Sequence, residues 1–176
     1  LLGRRITTSA TYFFQDYRDL ITFDLDTFKN RNAKNAFSRG VESEASVRIV
    51  PAVSVGLTYT YTDTWDPEKG TGLPGIPEQR GSVSLLLNPV PGLDGRIDWI
   101  AESDQLDAPL FSGRKRRAGY TRLDLFTRYL WSIHGAEVRE IALTGKIQNL
   151  TNRGYEERID IPAPGINFLL GMELAI

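Results

Sequence analysis

The ten residues VSVGLTYTYT, Val53–Thr62, alternate large apolar side chains with Ser, Gly and Thr. Because successive side chains of a β-strand point to opposite faces, the segment has one apolar face and one small, polar face. A single strand of this kind occurs in many sheets, but here the alternation recurs through to the last segment, Ile166–Ile176. The sequence therefore predicts an all-β protein built from long strands that share one apolar side.

About eight strands follow from this period-two pattern. The first two are long, at about residues 5–23 and 28–50, with a turn near 24–26. The others contain the alternating segments 53–62, 83–87, 96–102, 122–129, 141–148 and 166–176. From Pro51 onward, short turns near residues 50–52, 88–95 and 132–136 alternate with longer loops near 63–75, 103–114 and 151–165.

Two features favour a membrane barrel over a soluble sheet. Strands of nearly twenty residues exceed the roughly 9–11 that cross a bilayer at a tilt, and alternating short and long connections match the two ends of an outer-membrane barrel. Charges on the polar face suggest a wet interior: Glu42, Glu44, Arg48, Asp98, Glu102, Arg122, Asp124, Arg128 and Lys146. We expect a transmembrane antiparallel β-barrel.

Composition removes several other classes of protein. The 176 residues contain no cysteine, so disulfides, thiolate metal sites and cysteine nucleophiles are excluded. A net charge of -1 provides no field that would attract nucleic acid. No apolar run approaches the roughly 20 residues of a membrane helix. The one histidine, His134, falls in a predicted short turn, and no nucleophile motif, phosphate loop or metal-site spacing is present, so we expect no enzyme, cofactor or metal site.

Two regions of the chain resemble TonB-dependent outer-membrane receptors. NLTNRGY, Asn149–Tyr155, followed by PGINF, Pro164–Phe168, and an alternating last strand resembles the C-terminal end of that family. YRDLITF, Tyr17–Phe23, then Asn32 and RGVE, Arg39–Glu42, resembles the strand pair that precedes it, particularly in cobalamin and siderophore receptors. The resemblance covers essentially the whole chain.

This resemblance implies a barrel of 22 strands that is occluded by an N-terminal plug and driven by the inner-membrane TonB complex. Residues 1–176 would supply about its last eight strands, with the plug and the earlier strands outside this sequence. The receptor would import a scarce nutrient such as a ferric siderophore, another metal chelate or cobalamin. Gly171, Leu174 and Ile176 resemble the terminal signal read by the barrel-assembly machinery, although Ile176 stands where that signal usually has an aromatic residue.

Two other architectures compete with this interpretation. An autonomous eight-stranded barrel could act as an anchor or adhesin, but it would have to pack the charges of the polar face into a closed interior, which is costly unless nearly all are paired. A soluble β-sandwich would need a second layer over its apolar face, and strands this long disfavour it.

The long loops nominate candidate ligand-binding residues, because loops on a rigid barrel carry its specificity. The basic run Gly113–Arg117 suits phosphate or carboxylate groups, from lipopolysaccharide or from an anionic ligand, with a solvated loop end as the alternative. The candidates are Trp65, Asp66, Arg114, Lys115, Arg116, Arg117, Glu156, Glu157 and Arg158. The expected partners are outer-membrane lipid and lipopolysaccharide, the plug and remaining strands, the TonB complex and the barrel-assembly machinery.

Overall fold

The computed structural model describes residues 6–24, 28–107, 115–133 and 140–175, and within these ranges it contains twelve β-strands. Their bounds are β1 Ile6–Asp24, β2 Lys29–Val50, β3 Val53–Trp65, β4 Gln79–Val90, β5 Leu93–Glu102, β6 Gln105–Asp107, β7 Lys115–Arg117, β8 Tyr120–Ser132, β9 Glu140–Gln148, β10 Glu156–Arg158, β11 Ile161–Pro162 and β12 Asn167–Ala175. No helix in these ranges is long and apolar enough to cross a membrane. The all-β prediction is confirmed.

Eight strands form one antiparallel sheet in the order β1-β2-β3-β4-β5-β8-β9-β12. Each strand pairs with the next long strand along the chain, so the sheet is an up-and-down meander. The strands β1 and β12 form its two edges, and no ladder joins them within the described ranges. In the described residues the sheet is therefore open, and every inner strand has two partners.

The register keeps apolar residues together on one face, which we call the outer face. Leu57 pairs with Val83, Val83 with Trp99, and Trp99 with Leu123. These side chains lack a covering layer: Leu57 is 46% exposed and Trp99 is 47% exposed. An exposed apolar face of this extent needs a non-aqueous surrounding.

The opposite, inner face is polar and hydrogen-bonded across strands. Thr58 Oγ1 and Ser82 Oγ lie 2.8 Å apart, and the Ser84 hydroxyl donates to Asp98 Oδ1 at 2.5 Å. Arg96 Nε lies 2.8 Å from the same Asp98 oxygen. The predicted division of charges and apolar residues between two faces is thus present in the fold.

Gly40 marks a close approach on the inner face of β2. A Cβ at this position would lie 2.0 Å from the Tyr61 carbonyl oxygen and 2.6 Å from the Phe13 ring. Residues larger than glycine therefore do not fit without moving the β3 backbone, which accounts physically for the glycine in the RGVE segment.

The loops contain more structure than the alternation indicated. The predicted loop at 103–114 includes the start of a hairpin made by β6 and β7, and the predicted loop at 151–165 contains the hairpin of β10 and β11. Strand β3 extends to Trp65, where residue 63 was predicted to begin a loop. The strands of the two hairpins have only 2 or 3 residues each, too few for a period-two pattern to be distinguished from loop sequence.

Candidate functional site

Three long loops meet at one end of the sheet. They are the β3–β4 loop (66–78), the β5–β8 loop (103–119), which includes β6 and β7, and the β9–β12 loop (149–166), which includes β10 and β11. Strands β3, β5 and β9 all run towards this end, so antiparallel pairing alone brings the loops together. The candidate site is built from their contacts.

Arg117 forms the centre of these contacts. Only 2% of the residue is exposed, and its Nη2 donates to the Glu102 carboxylate at the end of β5. Its Nη1 donates to the Ala118 carbonyl at 2.9 Å and to the Glu156 carbonyl at 3.2 Å. Because Glu156 belongs to the β9–β12 loop, one buried cation holds two loops and a strand end together.

Aromatic stacking continues the network towards the barrel wall. The rings of Tyr120 and Tyr155 stack with centroids 4.2 Å apart, and the Arg117 guanidinium lies 5.2 Å from the Tyr120 ring centroid. Arg122 Nη1 donates to the Tyr155 hydroxyl at 3.1 Å, and its Nη2 lies 3.1 Å from Asp124. Cations on and beside the stacked pair add cation–π and hydrogen-bond attraction at a partly buried site.

Asn149 organises the start of the β9–β12 loop. It is 1% exposed and has φ 54°, a left-handed conformation that asparagine tolerates better than most residues. Its backbone N–H donates to Asp124 Oδ1 at 2.9 Å, and its Nδ2 donates to the carbonyls of Arg153 at 2.9 Å and Pro164 at 3.3 Å. Its Oδ1 accepts the Arg153 N–H at 2.9 Å. Through Asn149, the NLTNRGY segment therefore joins the start of this loop to Pro164 near its end.

Further hydrogen bonds connect all three loops in series. The Ile159 N–H donates to Asp107 Oδ2 at 2.8 Å, which joins the β9–β12 loop to the β5–β8 loop. The Gly75 N–H donates to the Leu106 carbonyl at 2.8 Å, which joins the β5–β8 loop to the β3–β4 loop. The loops form a continuous hydrogen-bonded rim above the sheet.

The candidate ligand residues occupy different environments in this rim. Trp65, Lys115, Arg116, Glu156, Glu157 and Arg158 are exposed, whereas Arg117 and Asp66 are buried and Arg114 lies outside the described residues. Asp66 Oδ1 accepts the N–H groups of Glu68 at 3.1 Å and Lys69 at 3.3 Å, so this carboxylate shapes a tight turn. Among the candidates in the described part of the chain, Arg117 and Glu156 share a hydrogen bond, which uses the Glu156 backbone carbonyl.

Several residues of the network were not nominated from the sequence. Glu102 and Arg122 were predicted only as charges on the polar face, and Tyr120 was not singled out, because their role depends on which loop folds over them. Asn149 and Tyr155 belong to the NLTNRGY segment, so the motif was the available signal. Gly171 and Leu174 are exposed in β12, and Ile176 and His134 lie outside the described residues. Within the described ranges no three His, Cys, Asp or Glu side chains are arranged to hold a metal ion.

Comparison with known proteins identifies the family. Residues 1–150 match the family model described as TonB dependent receptor-like, beta-barrel. The chain belongs to this family. TonB-dependent receptors are outer-membrane transporters rather than enzymes, so the chain is an outer-membrane protein, as the resemblance predicted. No curated protein matches the chain significantly.

Solved structures of TonB-dependent receptors share this fold. The copper transporter OprC superposes with a TM-score of 0.77 at 14% identity, covering 99% of this chain and 29% of that one. The siderophore receptor PiuA from Acinetobacter baumannii gives a TM-score of 0.68 at 17% identity, covering 95% of this chain and 26% of that one. The ferric enterobactin receptor from Pseudomonas aeruginosa gives 0.73 at 14%, with coverages of 95% and 28%. The chain thus spans less than a third of each receptor.

Membership of the family orients the sheet. Outer-membrane barrels have short turns on the periplasmic side and longer loops on the extracellular side. By this rule the rim of three linked loops is at the extracellular end, the apolar outer face is the lipid-facing side, and the polar inner face is the side that faces the interior of the family's barrels.

Proposed function

We propose that this chain is the C-terminal barrel segment of a TonB-dependent transporter that imports a metal chelate across the outer membrane. The observation that carries the proposal is the family match over residues 1–150. In this proposal residues 1–176 supply the last eight strands of a 22-stranded barrel. The plug and the earlier strands belong to the rest of the receptor and engage the TonB complex.

The substrate class is proposed from the kinds of receptor that share the fold. They include a copper transporter, a siderophore receptor and a ferric enterobactin receptor. A ferric siderophore or another metal chelate is the leading candidate, and cobalamin is the second because YRDLITF and RGVE resemble segments of cobalamin as well as siderophore receptors.

The rim suits substrate capture. Its internal hydrogen bonds hold the loops in place before a ligand arrives, which lowers the entropy lost on binding. Exposed side chains of both charge signs, including Arg116, Glu157 and Arg158, then face solvent on a fixed backbone. The chain performs no bond chemistry in this mechanism. It holds the substrate at the mouth while the plug rearranges under the action of the TonB complex and opens a path along the polar inner face.

The open sheet favours a large barrel over the autonomous eight-stranded one. A closed small barrel needs β1 to pair with β12, and the described residues form no such ladder. The inner face would also have to bury charges such as Arg96 and Asp98 in a packed core, whereas a wide lumen leaves them in contact with water or the plug.

The test uses the intact receptor in its native membrane. A strain lacking the gene is complemented with wild type, and uptake of radiolabelled ferric siderophores, copper chelates and cobalamin is measured with and without a protonophore. We expect energy-dependent uptake of one class, and an intact mass several times 19.7 kDa for the purified receptor. Equal uptake with and without the gene for all three classes, or an intact mass near 19.7 kDa, would contradict the proposal.

A further inference from the structure

The outer face carries a depression of about 880 Å³ near its extracellular edge. Four small residues from neighbouring strands form its outward-facing floor: Ser43, Gly81, Ala101 and Thr121. Tyr59 pairs with Ser43 and Gly81 in the same row. The larger residues of the next row towards the periplasm, including Leu57 and Trp99, bound it from below. The depression exists because small side chains interrupt a surface that is otherwise built from large ones.

A fixed cation lies at the extracellular edge of this depression. Arg153 lines it, and the Arg153 Nη1 donates to Thr121 Oγ1 at 2.8 Å. The backbone of Arg153 is held on both sides by the buried Asn149 amide, so the guanidinium projects from a fixed point. The side chain is exposed, and no described carboxylate lies within 4 Å of it.

This arrangement differs from that of the arginines on the inner face. Arg96 and Arg122 each lie beside a carboxylate, at 2.8 Å from Asp98 and 3.1 Å from Asp124. Arg153 uses one N–H donor for a neutral hydroxyl and retains the remaining donors of its planar fork. An unneutralised guanidinium beside an apolar depression has the chemistry to bind an anionic group attached to an apolar body.

We propose that this depression binds a phosphorylated glycolipid of the outer leaflet, of the lipid A class. An acyl chain lies over Gly81 and Ala101, and a headgroup phosphate is bound by the Arg153 guanidinium. The level of the site supports this placement: Thr121 lies at the extracellular end of β8, one row above Trp99, and Arg153 is hydrogen-bonded to it from the β9–β12 loop, where a headgroup meets the acyl region. The site is independent of the substrate path, because Tyr120 and Arg122, on either side of Thr121, project to the inner face.

The test measures lipid bound to the full-length receptor. The receptor is purified from outer membranes, exchanged into phosphatidylethanolamine nanodiscs that contain either bisphosphorylated or dephosphorylated lipid A, and examined by native mass spectrometry. We expect wild type to retain the bisphosphorylated form selectively. Arg153→Ala lowers its occupancy about tenfold or more, as expected for the loss of a charge-assisted bidentate contact. Arg158→Ala, which removes another exposed cation of the same loop, leaves occupancy unchanged.

A second variant tests the apolar part of the site. Ala101→Leu fills the floor without disturbing a glycine, and we expect it to lower occupancy while Arg153 remains intact. Equal retention of the two lipid A forms, or wild-type retention by Arg153→Ala, overturns the proposal. Displacement of lipid A by millimolar inorganic phosphate would assign Arg153 to a free anion and also overturns it. None of these outcomes depends on which substrate the receptor imports.

Discussion

Replacing Arg117 with alanine should release the extracellular rim while the barrel wall stays intact. The Arg117 side chain is 1% exposed, and its removal leaves the Glu102 carboxylate, itself 10% exposed, with Arg80 at 3.8 Å. Removing one partner of a buried ion pair costs about 3–5 kcal/mol. Since every 1.4 kcal/mol is a factor of ten, the equilibrium for local opening should rise by about two to three and a half orders of magnitude. The Glu156 carbonyl loses its hydrogen bond at the same time.

Hydrogen exchange followed by mass spectrometry on the full receptor measures this effect. Peptides that cover Glu156 to Pro164 should exchange much faster in Arg117→Ala, whereas peptides from the middle of β8 should not change. Arg116→Ala is the matched control, because its partner Asp104 forms an exposed pair worth at most about 1 kcal/mol. The double variant Arg117→Met with Glu102→Gln should restore part of the protection, since it leaves no buried charge unpaired. Equal exchange in Arg117→Ala and Arg116→Ala would refute the reasoning.

Three further predictions concern the wall and its last loop. Gly40→Ala should prevent assembly of the heat-modifiable barrel band on semi-native gels, because its Cβ would lie 2.0 Å from a carbonyl oxygen, whereas Gly154→Ala, with open space around it, should assemble normally. Asn149→Ala should leave buried groups unpaired and so lower the free energy of loop opening by about 1–3 kcal/mol. Limited proteolysis of the β9–β12 loop should then be faster; wild-type resistance would contradict this. Leu170→Arg on the lipid face should lower the free energy of unfolding by about 2–4 kcal/mol, and the neighbouring Leu169→Arg on the lumen face by less; equal losses in urea titrations would contradict the assignment of faces.

The period-two alternation was sufficient to predict the wall. It predicted about eight strands, their antiparallel arrangement and the sidedness of residues such as Leu57 and Trp99, because each of these depends only on neighbours in sequence and on antiparallel pairing. The predicted ends of the strands were less accurate. β3 continues to Trp65 because the adjacent strand β2 is long enough to pair with it there, with Phe37 opposite Trp65.

The rim could not be predicted in the same way. Arg117 was nominated as one of a run of basic residues suited to an anionic ligand, yet its Glu102 partner is 15 residues away and its Glu156 partner is 39 residues away. The sequence contains no period that relates such positions. The NLTNRGY segment was recognised as a family motif, but its physical role depends on the left-handed conformation of Asn149 and on the carbonyls that Asn149 meets only after the loop has closed.

The serial connection of the three loops has a consequence for transplanting specificity between receptors. A donor β9–β12 loop grafted alone would have to supply an N–H at the position of Ile159 for Asp107 and a carbonyl at the position of Glu156 for Arg117. The β3–β4 loop depends in the same way on Leu106. Chimeric receptors should therefore exchange the three loops as one cassette, whereas diversification by single substitutions is confined to the exposed side chains between these fixed points.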